Sequence, residues 1–288
     1  MEFLDAHTHV QFSAYDTDRE AVILRAENAG VRFVNVGTQK DTSRCAVELA
    51  EKYEHVFAVV GLHPVHTSKS FHDADELGGG EAAKGFTSRG EIFDADYYRE
   101  LASHPKTVAI GECGLDYFHF NEDEPRDMQI QKQKDAFVAQ IALAAEIKKP
   151  LMIHCREAFS DLIDMLIANR QSLIAPSPGI IHFFAGSVEN ARAFLDLGFS
   201  FTFGGAITFP PRKGETENQY HQLVRMIPIE KILSETDAPY VAPVLYRGKR
   251  NEPAYVIEVV KKLAELKNVS VDEMATQIRE NAKRTFGI

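Results

Sequence analysis

One rhythm constrains this chain more than any other feature. Eight short apolar runs alternate with stretches of helical spacing along its whole length. The runs are Glu2–Asp5, Arg32–Val36, Val56–Gly61, Thr107–Gly111, Leu151–Ile153, Gly179–Ile181, Phe199–Phe203 and Lys231–Leu233. Between them, apolar residues recur at helical spacing over Asp18–Ala29, Arg126–Lys148, Ala158–Ala168 and Val188–Leu197, with Gly30, Pro150 and Gly198 as stops. Eight strand-then-helix units in 288 residues is the arithmetic of an α/β fold, a (β/α)8 TIM barrel in a single domain. The competing doubly wound sheet ordinarily has a glycine-rich phosphate loop after its first strand. The stretch at that position, DAHTHVQF, contains no glycine.

Two stretches stand outside the rhythm. Residues 73–94 are glycine-rich and mixed in charge and follow the third strand, where a barrel would place a mobile loop insertion on its catalytic face. Residues Pro253–Arg284 carry two helical patterns split near Asn268–Asp272, with Ser270 as a cap and Pro253 in a first turn. No linker divides the chain, so residues 1–288 read as one unit. No apolar run approaches the ~18 residues of a membrane helix. The start, MEFLDAHTHV, lacks the basic and apolar segments of a signal peptide, and the expected location is the cytoplasm. Three cysteines, Cys45, Cys113 and Cys155, make no disulfide framework. A net charge of −10 argues against a sequence-independent coat protein for nucleic acid, though not against a nuclease that attracts phosphate locally.

Ligand-type residues gather at the strand ends. His7 and His9 close the first strand as an H-x-H pair, and a period of two turns both imidazoles to one face. Such a pair alone is often only a polar strand end. His63, Glu112, His154, His182 and Asp237 recur at the ends of later strands, and a barrel brings all those ends to one mouth. Burying so many imidazoles and carboxylates together is costly without a cation, so metal coordination is the cheaper explanation.

In order, the motifs are DAHTH at Asp5–His9, GLHP at Gly61–Pro64, GECGLD at Gly111–Asp116, HCRE at His154–Glu157, HFFAG at His182–Gly186, ETDAP at Glu235–Pro239 and RNEP at Arg250–Pro253. The set resembles the TatD family of metal-dependent deoxyribonucleases, within the wider amidohydrolase-like barrel group, over nearly the whole chain. The resemblance implies two divalent ions, one held by His7, His9, Glu112 and Asp237, the other by Glu112, His154 and His182, with Glu112 as bridge. It implies DNA as substrate, cut from a 3′ end. The family's usual HCFSG is here HFFAG, so Phe183 and Ala185 depart from the pattern while His182 is kept. Many relatives in the wider group bridge with a carboxylated lysine, but TVAIGECGLD has none, and Glu112 bridges directly on this reading.

Within that reading Asp237 also accepts a proton from the attacking water, and His63 and Arg156 are candidates for orienting the phosphate. An equal alternative for Arg156 is a salt bridge to a loop acid. Imidazole ligands favour Zn2+ or Mn2+, whereas the family is associated with Mg2+. Arg247, Lys249 and Arg250 form a basic cluster able to draw in a polyanion. Cys113 and Cys155, one residue past ligands, face away and pack, and Phe183 and Phe184 are more often packing than base-stacking residues. Two alternatives stay open: a deacylase or amidohydrolase acting on a carbonyl, such as an aminoacyl ester of tRNA, and a noncatalytic scaffold. Oligomeric state is not legible.

Overall fold

The computed structural model describes residues 2–72, 86–174 and 177–288. In chain order the elements are β1 (Phe3–Thr8), α1 (Arg19–Asn28), β2 (Val31–Val36), α2 (Lys40–Lys52), β3 (Val56–Val60), β4 (Lys69–His72), β5 (Phe86–Arg89) and α3 (Ala95–Ala102). There follow β6 (Thr107–Asp116), α4 (Arg126–Ile147), β7 (Leu151–Arg156), α5 (Phe159–Ala168), β8 (Gly179–Ile181), α6 (Val188–Asp196), β9 (Ser200–Phe203), α7 (Gln219–Met226), β10 (Ile232–Ser234), α8 (Val256–Lys267) and α9 (Val271–Phe286). Eight of the strands form one parallel sheet in the order β1-β2-β3-β6-β7-β8-β9-β10, so all eight apolar runs are barrel strands. They are buried throughout their apolar length, as expected of strands covered by helices outside and by side chains within.

The sheet closes between β10 and β1 through side chains as well as backbone. Ser234 Oγ donates to the Leu4 carbonyl at 2.6 Å, and the buried Asp5 carboxylate accepts from the Thr236 amide at 2.9 Å and the Thr236 hydroxyl at 2.5 Å. Just above, the Asp237 amide donates to His7 O at 2.9 Å and the His9 amide to Ala238 O at 2.8 Å. The seam therefore runs through metal-ligand candidates from both ends of the chain.

β6 runs further than the apolar pattern indicates, through Glu112 to Asp116. Its register with β7 advances three residues from Ile110 to Cys113 while β7 advances two, a bulge that contains Gly111 and Glu112. Gly114 lies at φ +132, and a Cβ there would run into the His154 carbonyl, so glycine lets the two ligand-bearing strands approach. Of the insertion at 73–94, residues 73–85 lie outside the described residues. Phe86–Arg89 are not loop but β5, antiparallel to β4. At the other end, the Ser270–Glu273 capping box starts α9, as the sequence indicates.

The basic cluster after β10 needs a correction. Arg250 is not a free steering charge: its guanidinium donates to Asp18 Oδ2 at 2.6 Å and Ala14 O at 2.7 Å and lies 4.4 Å from the Tyr15 ring centroid. Only Arg247 and Lys249 are exposed. The neighbouring Asn251 reaches the carbonyls of Thr236 and Tyr240, and Glu252 pairs with Arg25 at 2.6 Å, so RNEP is a brace behind the last strand.

Arg250→Ala should therefore cost stability, about 1–3 kcal/mol for charge-assisted hydrogen bonds of this kind. The hydrogen bond from Arg250 holds the Asp18 carboxyl below its usual range, against a smaller upward pull from burial. Its stabilising contribution is whole above the unfolded carboxylate value of about 4 and is lost as pH falls through the lowered folded value. Thermal unfolding should show a gap between wild type and Arg250→Ala at pH 7 that narrows below about pH 4. No gap at pH 7 would return Arg250 to the solvent-facing cluster.

Candidate metal centre

The bulge in β6 aims Glu112 into the barrel mouth, where the imidazoles of four other strand ends surround it. Its two oxygens face different partners. Oε2 lies 3.4 Å from His7 Nε2 and 3.8 Å from His9 Nε2, and Asp237 Oδ1 stands 3.7 and 3.4 Å from the same nitrogens. Oε1 lies 3.0 Å from His182 Nε2, 3.1 Å from His154 Nδ1 and 3.2 Å from His63 Nε2. One carboxylate is thus shared between two clusters. Asp237 is held at φ +55, a sparsely populated conformation for a non-glycine residue, with its amide on His7 O and its neighbour Thr236 on Asp5.

Outer partners decide what each imidazole can do. His9 Nδ1 donates to Val36 O at 2.7 Å, His154 Nε2 faces Asp116 Oδ2 at 3.0 Å, and His182 Nδ1 faces Glu235 Oε2 at 3.3 Å. An acceptor on the outer nitrogen places the proton there and leaves the inner lone pair for a cation. His63 has the opposite polarity. Its Nδ1 accepts from the Val65 amide at 3.2 Å, so Nε2 carries the hydrogen and points at Glu112 as a donor. Three histidines are therefore set with the inner nitrogen free for a cation and His63 as a hydrogen-bond donor, while His7 Nδ1 is buried without a hydrogen-bond partner among the described residues; residue type alone does not reveal this division.

The acceptors behind the ligands are residues to which the sequence reading gave no role. Asp116 also accepts from the amides of Phe118 and His119, both at 2.9 Å, and Glu235 accepts from Thr202 Oγ1 at 2.6 Å. Both belong to motifs already picked out, GECGLD and ETDAP. The tendency of a ligating histidine to find an outer acceptor, met here by His154 and His182, is the signal that would have pointed to them. Helix α4 sets the height of this layer. Gln133 brackets the Asp116 backbone with two 2.8 Å bonds, and Gln140, seven residues on, does the same for Leu62 beside His63 at 2.9 and 3.0 Å.

Electrostatics follow from this crowding. Burial alone would raise the Glu112 carboxyl, but His63, His182, His7 and the hydrogen bond from His154 reverse it and hold it well below its usual range. Asp116 is likewise far below, burial being outweighed by the hydrogen bonds from His119 and His154. Burial pulls His154 down, yet Asp116 and Glu112 push it up to about 9, while His63, whose burial dominates, drops to about 4. Buried His182 is also raised by Glu112 and Glu235. The donor set fits divalent ions: buried carboxylates, converging lone pairs, and His7 and His9 nitrogens 3.1 Å apart. Triads that could share an ion among the described residues include His7–His9–Glu112, His63–Glu112–His154 and His7–His182–Glu235.

The remaining sequence candidates separate. Arg156 is exposed at the end of β7, with its guanidinium over the Phe118 ring and in no salt bridge among the described residues. Cys113 is buried, Phe184 packs on Phe159, Phe194 and Phe201, and Phe183 stays half-buried beside His182.

Comparison with known proteins places this geometry. The family model described as TatD related DNase matches residues 4–287. A Bacillus subtilis protein named uncharacterized metal-dependent hydrolase YabD is 39% identical, with 99% of this chain and 98% of that protein aligned. A Pantoea ananatis protein named 3'-5' ssDNA/RNA exonuclease TatD is 33% identical over 99% of each chain. Among solved structures, the TatD homolog YJJV of Escherichia coli superposes with a TM-score of 0.77 at 27% identity, covering 99% of this chain and 98% of that one.

Asp116→Asn offers a test of the outer layer. An amide is a poorer acceptor and can present N–H to His154 Nε2, so the proton moves to the inner nitrogen. Affinity for a divalent ion that uses His154 should fall about 10–100-fold, as measured by titration calorimetry. Unchanged affinity would remove Asp116 from the layer that sets the ligands.

Proposed function

This chain belongs to the TatD-related DNase family, and on that premise we propose that it is a metal-dependent hydrolase that cleaves phosphodiester bonds in DNA, from a 3′ end. The observation that carries the reading is the divided carboxylate. Glu112 offers one oxygen to each of two clusters, the donor arrangement for two neighbouring cations. A relative named as a 3'-5' exonuclease, similar along its whole length, supports the polarity. His7, His9, Glu112 and Asp237 would hold one ion, and Glu112, His154 and His182 the other. Mixed imidazole and carboxylate donors accommodate Mn2+ or Zn2+ and do not bar Mg2+.

When bound, the two ions lower the pKa of a water and offset charge on the phosphate. The chain supplies the rest. Asp237, whose burial is outweighed by its contact with His9 and by His182 and His7, so that its carboxyl is held below the usual range, accepts the proton of the attacking water. The His63 Nε2 hydrogen, 3.2 Å from Glu112 Oε1 here, would be shared with a phosphate oxygen at the cluster edge once substrate enters, and the Arg156 guanidinium would offer planar N–H groups beside it. Glu112 keeps the two clusters in register. The three cysteines are free, and no described helix is long and apolar enough to cross a membrane; we place the enzyme in the cytoplasm.

Three variants test this division of labour on a labelled single-stranded oligonucleotide, with Mg2+, Mn2+ and Zn2+ each supplied. Glu112→Gln should remove most activity with the fold intact, because one negative charge serves both clusters. His154→Ala should lose one equivalent of metal. His63→Ala should keep both while turnover falls about 100-fold, the range for losing one positioned donor. Metal lost from His63→Ala would make that histidine a ligand and overturn its role as donor.

A further inference from the structure

Three arginine–phenylalanine contacts follow the C-terminal strand ends; that of Arg126 on Phe120, 4.4 Å from the ring centroid, is tied back by a hydrogen bond to Tyr117 O, and the other two leave the guanidinium without such a tie among the described residues. Arg156, the last residue of β7, lies 3.7 Å from the ring centroid of Phe118, in the segment after β6. Arg247, after β10, lies 4.8 Å from the ring centroid of Phe209, after β9. All four residues follow C-terminal strand ends, so they share a face with the metal centre. Phe118 is 51% exposed, Phe209 is half-buried, and both arginines are exposed.

Arg25, Arg99, Arg225 and Arg250 each hold a carboxylate. With 42 acidic against 32 basic side chains, partners are abundant, yet neither Arg156 nor Arg247 pairs with one among the described residues. Each instead lies over a ring at the mouth. Both stacks are fixed in place. The Tyr117 amide donates to Arg156 O at 2.8 Å, and the Phe118 amide to Asp116, which also orients His154. On the other side, the Val244 amide donates to Thr208 Oγ1 at 2.8 Å, joining the segments that carry Arg247 and Phe209.

A guanidinium stacked on a ring presents a planar face to a nucleobase and N–H edges to its phosphate, and every base has a π-face to lay on it. We propose that Phe118–Arg156 and Phe209–Arg247 are nucleobase platforms that seat the unpaired bases of a nucleic acid strand on two sides of the metal centre. The proposal rests on the phosphodiesterase reading above and adds to it where the bases, rather than the phosphates, are held.

The test compares a single-stranded oligothymidylate with an oligonucleotide of the same length whose 3′-terminal positions are abasic, using protein loaded with Mg2+ or Mn2+. Wild type should favour the base-bearing strand in kcat/KM by about 10-fold, and Phe118→Ala and Phe209→Ala should each bring that ratio toward one, as loss of base stacking predicts. Phe118→Trp should keep the ratio. Because the chain has no tryptophan, that variant also carries a sole indole whose fluorescence the oligothymidylate should quench and the abasic strand should not. If both strands are hydrolysed and the alanine variants keep the wild-type ratio, the platforms are wrong and the phosphodiesterase reading stands. If loaded wild type hydrolyses neither strand, the phosphodiesterase reading fails and the platforms fail with it.

Discussion

The structure is organised around one buried carboxylate. Glu112 is 3% exposed, a placement that costs several kcal/mol for an unpaired charge. Five imidazoles from four strand ends answer it, and the backbone is shaped to bring them there. The bulge in β6 aims the side chain, Gly114 lets β7 approach, and the glutamines of α4 fix the backbones of Asp116 and Leu62. A polar stripe on the inner side of a long helix looks like a fault in the core pattern. Here it is the means of holding strand ends where no further strand can pair with them.

Much of this was legible in the sequence. Periodicity located all eight barrel strands, because a parallel strand buried on both faces must be written as an apolar run. The motifs brought together His7, His9, Glu112, His154, His182 and Asp237, and the structure sets them around one mouth. Less visible were relations across long separations. Asp116 meets His154 from 38 residues away, Glu235 meets His182 from 53, and Asp18 holds Arg250 from 232. Local pattern records which face a residue takes but not which distant group it finds there. For the same reason Arg250 looked like part of a charge run, and the polarity of His63, set by one backbone amide two residues away, had no mark in composition or spacing.

Net charge and function are reconciled by locality. A chain of charge −10 repels a polyanion at a distance, but screening at physiological salt confines that repulsion to about 8 Å from each charge. On the proposed reading, what a substrate would meet at the mouth is then the centre, the His63 donor, and Arg156 and Arg247, which have no carboxylate partner among the described residues.

The seam between β10 and β1 places His7 and His9 on one side and Asp237 on the other, 230 positions apart from His7 to Asp237. A cation held across it acts as a clasp on a very long loop, the kind of tie whose effect on chain entropy grows with the length it encloses. During synthesis the first two histidines are made early and wait until nearly the whole barrel has emerged before their carboxylate partner exists. A nascent or truncated barrel therefore cannot complete this ligand set. On the proposed ligand set, metal loading would report that the barrel has closed, and removing metal should loosen the first and last strands before the rest.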